Sequence, residues 1–173
     1  MLRARLLTSL AFNLALALWV FHDARARRAR KPAFAAVLTL VWGPLALGLW
    51  ESDRPLREGE QRRGSAAANI ARGFLIGWVA LLPAMFVLAM GVTEHRAAVP
   101  GSLGRQIGIL PATAVMVSMF WGGPAVLALV LGQIGRQASV EHGTAATADA
   151  SLPSWLAAAL AGAVALACAL LMR

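Results

Sequence analysis

The chain has 173 residues, a formal net charge of +8 and 14% charged residues, against roughly 25% in a soluble domain. With a mean hydropathy of +0.67, this composition excludes an ordinary soluble enzyme. It also excludes a nucleic-acid module, because the arginines sit in short loops beside apolar runs and no soluble unit presents a basic face.

Five runs carry no charge: Leu6–Phe21, Ala33–Trp50, Gly73–Val92, Ile107–Ile134 and Trp155–Met172. A helix needs about 20 mostly apolar residues to cross the hydrocarbon core. In lipid every backbone polar group must be satisfied internally. The sequence therefore predicts an all-α integral membrane bundle of about five helices, forming one multi-span domain over residues 1–173. The arginine-rich, lysine-poor usage suggests a bacterial inner (cytoplasmic) membrane.

The first run follows Arg3 and Arg5 and ends at Trp19, Phe21 and His22. Ala24-Arg25-Ala26 has the small-x-small form of a signal cleavage site, but the positive charge that follows resists export, so an uncleaved first helix is expected. Asn13 lies mid-run, where an amide serves as packing glue between helices. Trp19, Trp50, Trp78 and Trp155 lie near run ends, as an interfacial aromatic belt would place them.

The second run contains Trp42-Gly43-Pro44 and the fourth Trp121-Gly122-Gly123-Pro124. Proline removes a backbone donor and clashes with the preceding turn, so kinks are predicted at Pro44 and Pro124. The two segments also hint at a duplication of runs one and two as runs three and four. The third run opens with Gly73-Phe-Leu-Ile-Gly77, and the fifth holds Ala158 and Gly162 at the same spacing. These four residues are the candidate helix-packing positions, through which backbones approach closely within one chain or between copies. The segment Arg136–Pro153, rich in Ala, Ser, Thr and Gly, reads as a flexible exposed loop.

With five crossings the Lys and Arg residues divide eight against eight, and the positive-inside rule does not decide the orientation. The loop after the first helix then selects N-terminus out and C-terminus in. A re-entrant second run is the alternative: it puts both arginine-rich loops on one side, at eleven against five.

Leu18-Trp-Val-Phe-His-Asp-Ala-Arg-Ala-Arg27, a helix with a central proline, and Arg54-Pro-Leu-Arg-Glu-Gly-Glu60 follow one another. Over about residues 15–75 this resembles a hairpin in a family of small uncharacterised bacterial membrane proteins. That family has a W-x-x-x-D-A-x-x-R loop, a second apolar helix and an R-P-L-x-x-G-E exit, often preceded by Tyr-Leu where this chain has Leu49-Trp50. The resemblance implies a membrane hairpin and no chemistry. Read physically, Asp23 would pair with Arg25, Arg27 or Arg28, and Glu58 and Glu60 with Arg54, Arg57 or Arg62. Such exposed pairs contribute about 0–1 kcal/mol. Arg25, Arg27, Arg28, Arg54 and Arg57 are the candidates for contact with anionic lipid head groups or a partner.

No Asp or Glu lies inside any run, which argues against a proton-coupled carrier. No metallohydrolase, nucleophile-elbow or phosphate-loop pattern occurs. Cys168 is alone, so neither an intrachain disulfide nor a Cys-based metal site is possible. His22 and His95 fall on one face in the five-span arrangement and could ligate a metal or haem, but solvated interfacial histidines are the expectation. His142 lies in the loop of the other face and carries no expected role. The expected catalytic, metal and cofactor-binding sets are therefore empty. The leading expectation is a non-enzymatic membrane protein, an accessory or assembly subunit of a larger complex, with membrane lipids, other membrane subunits or further copies as partners and no nucleic acid. The alternative is a small carrier or channel lined by Asn13, Thr39, Thr113 and Ser118. A third class is a lipid-acting enzyme whose Arg54, Arg57, Arg62 and Arg63 bind phosphate.

Overall fold

A computed structural model describes residues 2–134, 140–142, 148–149 and 152–172. The structure is all-helical but for three short loop strands. In chain order come α1 (Leu2–Ala26), α2 (Pro32–Trp42), α3 (Pro44–Asp53), β1 (Glu60–Arg63), α4 (Ala66–Ala97), α5 (Leu103–Ile107), α6 (Ile109–Ile134), β2 (Val140–His142), β3 (Ala148–Asp149) and α7 (Leu152–Leu171).

Among the described residues three helices are long and apolar enough to cross a membrane: α1, α4 and α7. A fourth candidate is α6, whose two parts, Ile109–Met119 and Trp121–Val130, are inclined at 44°. The turn between them is at Phe120, four residues before Pro124, where the proline ring meets the i−4 carbonyl. The second apolar run supplies no long helix. Gly43 adopts φ 51°, ψ −119° between Trp42 and Pro44, a conformation open only to glycine. The resulting halves of 11 and 10 residues each rise about 15 Å, half the hydrocarbon thickness. The expectation of about five long helices thus drops to three or four. Pro83, not singled out in the sequence, lies inside α4 without ending it.

The helices α2 and α3 form a hairpin. Its two ends meet at one end of the bundle, where Arg27 donates to Pro55 O and Trp50 Nε1 donates to Asp23. Its tip lies ten residues back along α1, where Asn13 Nδ2 donates to Leu40 O at 3.1 Å. At Gly43 an added Cβ would collide with the Asn13 side chain. The hairpin is held between α1, which packs on α2, and α4, which packs on α3.

Small residues set the remaining contacts. An added Cβ at Gly73 would lie 2.7 Å from Gly48 Cα and 2.9 Å from Leu47 O, and one at Gly77 would lie 3.0 Å from the Pro44 ring. At Gly162 it would strike the backbone of Ala80. Ala158 is buried in the core one turn before Gly162. Gly73, Gly77 and Gly162 thus each sit where helix backbones of the same chain approach closely. The core they surround is built on Phe12, Leu16, Val20, Leu47 and Ile76.

Trp78 departs from the expected aromatic belt. Its ring lies 4.2 Å from that of Trp121, and its Nε1 donates to Trp121 O at 3.0 Å. An indole inside the bundle needs such an acceptor for its N–H. The segment expected to be a flexible loop, Arg136–Pro153, lies largely outside the described residues. Within it, β2 pairs antiparallel with β1 and β3 pairs parallel with β1.

Candidate functional site

The end of α1, the end of α3, the following loop and the start of α7 converge on one polar cluster. Helix α1 closes with Arg28 N–H donating to Arg25 O and Ala29 N–H donating to Ala24 O. This is a Schellman closure whose left-handed position, normally glycine, is filled by Arg28 at φ 54°. It keeps Asp23 and Arg27 on one helix face, four residues apart, with Arg27 Nε donating to Asp23 Oδ2 at 2.8 Å.

The Arg27 guanidinium also grips Glu60 with two bonds, Nη1 to Oε2 at 2.5 Å and Nη2 to Oε1 at 2.8 Å. Its planar fork matches a carboxylate in this way. Asp23 accepts from Trp50 Nε1 at 3.1 Å and from Arg57 Nη2 at 3.0 Å, and lies 3.7 Å from Arg54 Nη1. Arg54 Nη2 donates to Glu51 at 3.1 Å and Nη1 to Ser154 Oγ at 3.0 Å. Ser154 Oγ donates in turn to Glu51 Oε1. The Arg57 N–H donates to Glu60 Oε2, and Arg62 Nη2 donates to Arg54 O. Asp23, Glu51 and Glu60 thus balance Arg27, Arg54 and Arg57.

Arg54 is 1% exposed and the Arg27 side chain fully enclosed, so their charges must be met inside the protein. Burial depresses the Arg54 pKa, and the nearby Glu51 only partly offsets it. For Arg27 burial acts the same way, but the bonds to Glu60 and Asp23 outweigh it and the pKa rises. Burial would lift the Glu60 carboxyl. The Arg27 bonds and the Arg57 N–H outweigh it and hold the carboxyl below its ordinary value.

This arrangement keeps two of the expected contacts, Asp23 with Arg27 and Glu60 with Arg57, and adds side-chain pairs between the two loops. Asp23 bonds to Arg27 and Arg57, not to Arg25 or Arg28, and Glu60 takes Arg27 from the other loop. Arg27 and Arg54 are buried and so withdrawn from head-group contact, because three carboxylates already neutralise this cluster. Arg25 remains exposed, 5.7 Å from the Phe21 ring centre, and Arg28 is exposed too. The Arg57 side chain is 47% exposed while bonded to Asp23. The phosphate-binding quartet is not assembled: Arg54, Arg57 and Arg62 are engaged as above, and the Arg63 side chain lies outside the described residues.

The candidate channel lining is not brought together either. Asn13 holds the hairpin tip, and Thr39 and Thr113 return their hydroxyls to Ala35 O and Ile109 O of their own helices. Ser118 is on the exposed face of α6. His22 and His95 sit at opposite ends of the bundle: His22 lies beside the cluster, whereas His95 shares a groove with Arg5 at the start of α1. Among the described residues no group of three His, Cys, Asp or Glu side chains is placed to hold a metal.

The cluster is built from the residues that carry the hairpin resemblance. Trp19 packs against the core and Ala24 is fully buried, Asp23 and Arg27 form one half of the cluster, and Arg54, Pro55 O and Glu60 form the other. Glu51 and Ser154 were missed. Glu51 directly follows an apolar run and so reads as a terminus. Ser154 is more than 100 residues away in sequence, where no local signal points to it. The arrangement locks two loops and α7 together. No known protein family, curated protein or solved structure matches the chain.

Proposed function

We propose that this chain is a non-enzymatic membrane protein with four spans and one re-entrant hairpin, acting as an accessory or assembly subunit that packs against another membrane protein through α6. In this reading α1, α4, the bent α6 and α7 cross, while α2 and α3 enter and leave on one side. Irregular backbone at Gly43 is tolerated at that depth because it is enclosed by protein. The loops after α1, α3 and α6 then share one face. By sequence position that face holds Arg25, Arg27, Arg28, Arg30, Lys31, Arg54, Arg57, Arg62, Arg63, Arg72 and Arg136. The other holds Arg3, Arg5, Arg96, Arg105 and Arg173. Eleven against five breaks the tie, so the ion cluster faces the cytoplasm of a bacterial inner membrane and both ends of the chain face outward.

One observation carries the subunit reading. Gly48, Gly73, Gly77 and Gly162 are each filled by a neighbour within the chain, but among the described residues an added Cβ at the adjacent Gly122 or Gly123, as at the isolated Gly91 of α4, would meet nothing within 4 Å. Glycine inside a helix costs about 1 kcal/mol relative to alanine, and Pro124 already accounts for the bend. The two glycines leave an unfilled notch on a helix whose main packing, among the described residues, is against α4 and the short α5. Such a notch fits the close approach of a partner helix. No comparable observation favours a carrier, because Asn13, Thr39 and Thr113 are spent on the fold and Ser118 lies on an exposed face rather than beside them.

Native mass spectrometry after mild extraction from the source membrane tests this. The expected result is an assembly whose mass is not a multiple of 18.2 kDa and which dissociates in the Gly122→Ile variant. Only multiples of that mass, unchanged by Gly122→Ile, would overturn the reading.

A further inference from the structure

A groove of about 740 Å³ opens between α2 and α3 on the cluster side of the bundle, within the size range of small-molecule sites. Its apolar lining comes from Phe34 and Leu38 of α2 and Leu49 of α3. Trp50 closes one side, fixed by its bond to Asp23. Phe34 is 64% exposed, so this surface is unfilled by the chain itself.

The mouth has a different chemistry. Arg30 and Lys31 line it, both exposed and neither within ion-pair distance of a carboxylate among the described residues. Helix α2 starts there with Lys31 at its N-cap, no side-chain cap bond and no acidic residue in the first turn. The first helical residue, Pro32, has no N–H, so the uncapped donors at this helix start are those of Ala33 and Phe34, and the helix dipole adds partial positive charge at the same point. Two cations and an uncapped helix start above an apolar slot match a phosphodiester carried on an acyl chain. Asp53 and Ser52 line the opposite lip, and the Asp53 carboxylate opposes the anion.

We infer that this groove binds one anionic glycerophospholipid from the leaflet on the cluster side. Arg30, Lys31 and the start of α2 hold the phosphate, and an acyl chain lies against Phe34, Leu38 and Leu49. The inference rests on the hairpin geometry and not on the subunit role, so either can fail alone. Bound lipid also explains how a groove this wide persists between two half-length helices: its acyl chain fills space that neither half-helix reaches.

The test is lipid retention by the full chain, purified from nanodiscs of equal phosphatidylglycerol and phosphatidylcholine and read by native mass spectrometry. Wild type retains one phosphatidylglycerol in preference to phosphatidylcholine. The Arg30→Gln/Lys31→Gln variant loses about thirtyfold of that preference, as expected for two charges near a membrane surface. Phe34→Ser weakens retention without changing the head-group preference, and Asp53→Asn strengthens it. The variant Arg25→Gln/Arg28→Gln, which removes two exposed cations outside the groove, leaves retention unchanged. Equal loss in that variant would show diffuse surface attraction and overturn the inference. So would wild-type retention in Arg30→Gln/Lys31→Gln. Inorganic phosphate competing as well as lipid would do the same, since it would place a free anion and no acyl chain in the groove. All these side chains lie outside the ion cluster, so thermal unfolding of each variant should match wild type.

Discussion

At the scale of single residues, the decisive feature is the enclosed pair between Arg27 and Glu60. Removing one member of a buried pair strands the other charge and costs about 3–5 kcal/mol. Arg27→Met should therefore lower the unfolding temperature in detergent far more than Arg25→Met, whose exposed side chain contributes at most about 1 kcal/mol. A pH effect follows from the same pair. The Glu60 carboxyl is held below its ordinary pKa, so its stabilisation is present above the ordinary carboxylate range and is lost as pH falls through its own lowered pKa. Melting curves from pH 7 to pH 3 should fall more steeply for wild type than for Glu60→Gln. A third expectation concerns Arg28, which holds a left-handed conformation at φ 54°. Arg28→Gly should stabilise the fold by about 1 kcal/mol, measurable by the same melting experiment. The sequence made the ions of this cluster visible but not their pairing. Assigning the loops after α1 and α3 to opposite membrane faces rules out Arg27–Glu60 and Asp23–Arg57, and local spacing alone favours nearer partners such as Arg25 and Arg28.

At the scale of elements, the Trp42-Gly43-Pro44 segment ends one helix and starts another, whereas Trp121-Gly122-Gly123-Pro124 lies within a bent one. The same proline chemistry gives two outcomes because their surroundings differ. Gly43 faces Asn13, whose amide takes up the Leu40 carbonyl at the tip of the hairpin. Among the described residues Gly122 and Gly123 have no such partner. The hint of a duplicated helix pair therefore finds no counterpart in the fold. Gly43→Ala should disrupt the hairpin, combining about 1–2 kcal/mol of left-handed strain with a collision against Asn13. Asn13→Leu should cost less, about 0.6–1.7 kcal/mol for one interhelical bond in lipid. Both can be read as shifts in unfolding by a denaturing detergent. The small-residue spacings at Gly73, Gly77, Ala158 and Gly162 were legible as packing sites. Spacing gives the face but not the partner, and only the fold assigns α3 to the first pair and α4 to Gly162. Gly162→Ile should accordingly destabilise the single chain, since its Cβ meets the Ala80 backbone.

At the scale of the whole molecule, membrane residence and helical class were legible from apolar run length, because lipid leaves the backbone no other solution. The number of crossings was not, since an 18-residue run with a central Gly-Pro satisfies both a span and a hairpin. The proposed topology takes the hairpin, because the ion cluster joins residues 23 and 27 to residues 50–60 across distances that a bilayer between them would forbid. The central claim is therefore topological, that the loops after α1 and α3 share one membrane face. Single cysteines at Ala29, Glu58 and Ala98, placed in a Cys168→Ser background, test it most directly through labelling with a membrane-impermeant maleimide in intact cells and in inverted vesicles. The account predicts that Ala29→Cys and Glu58→Cys react only in inverted vesicles and Ala98→Cys only in intact cells. Reaction of Ala29→Cys and Glu58→Cys from opposite sides would contradict it.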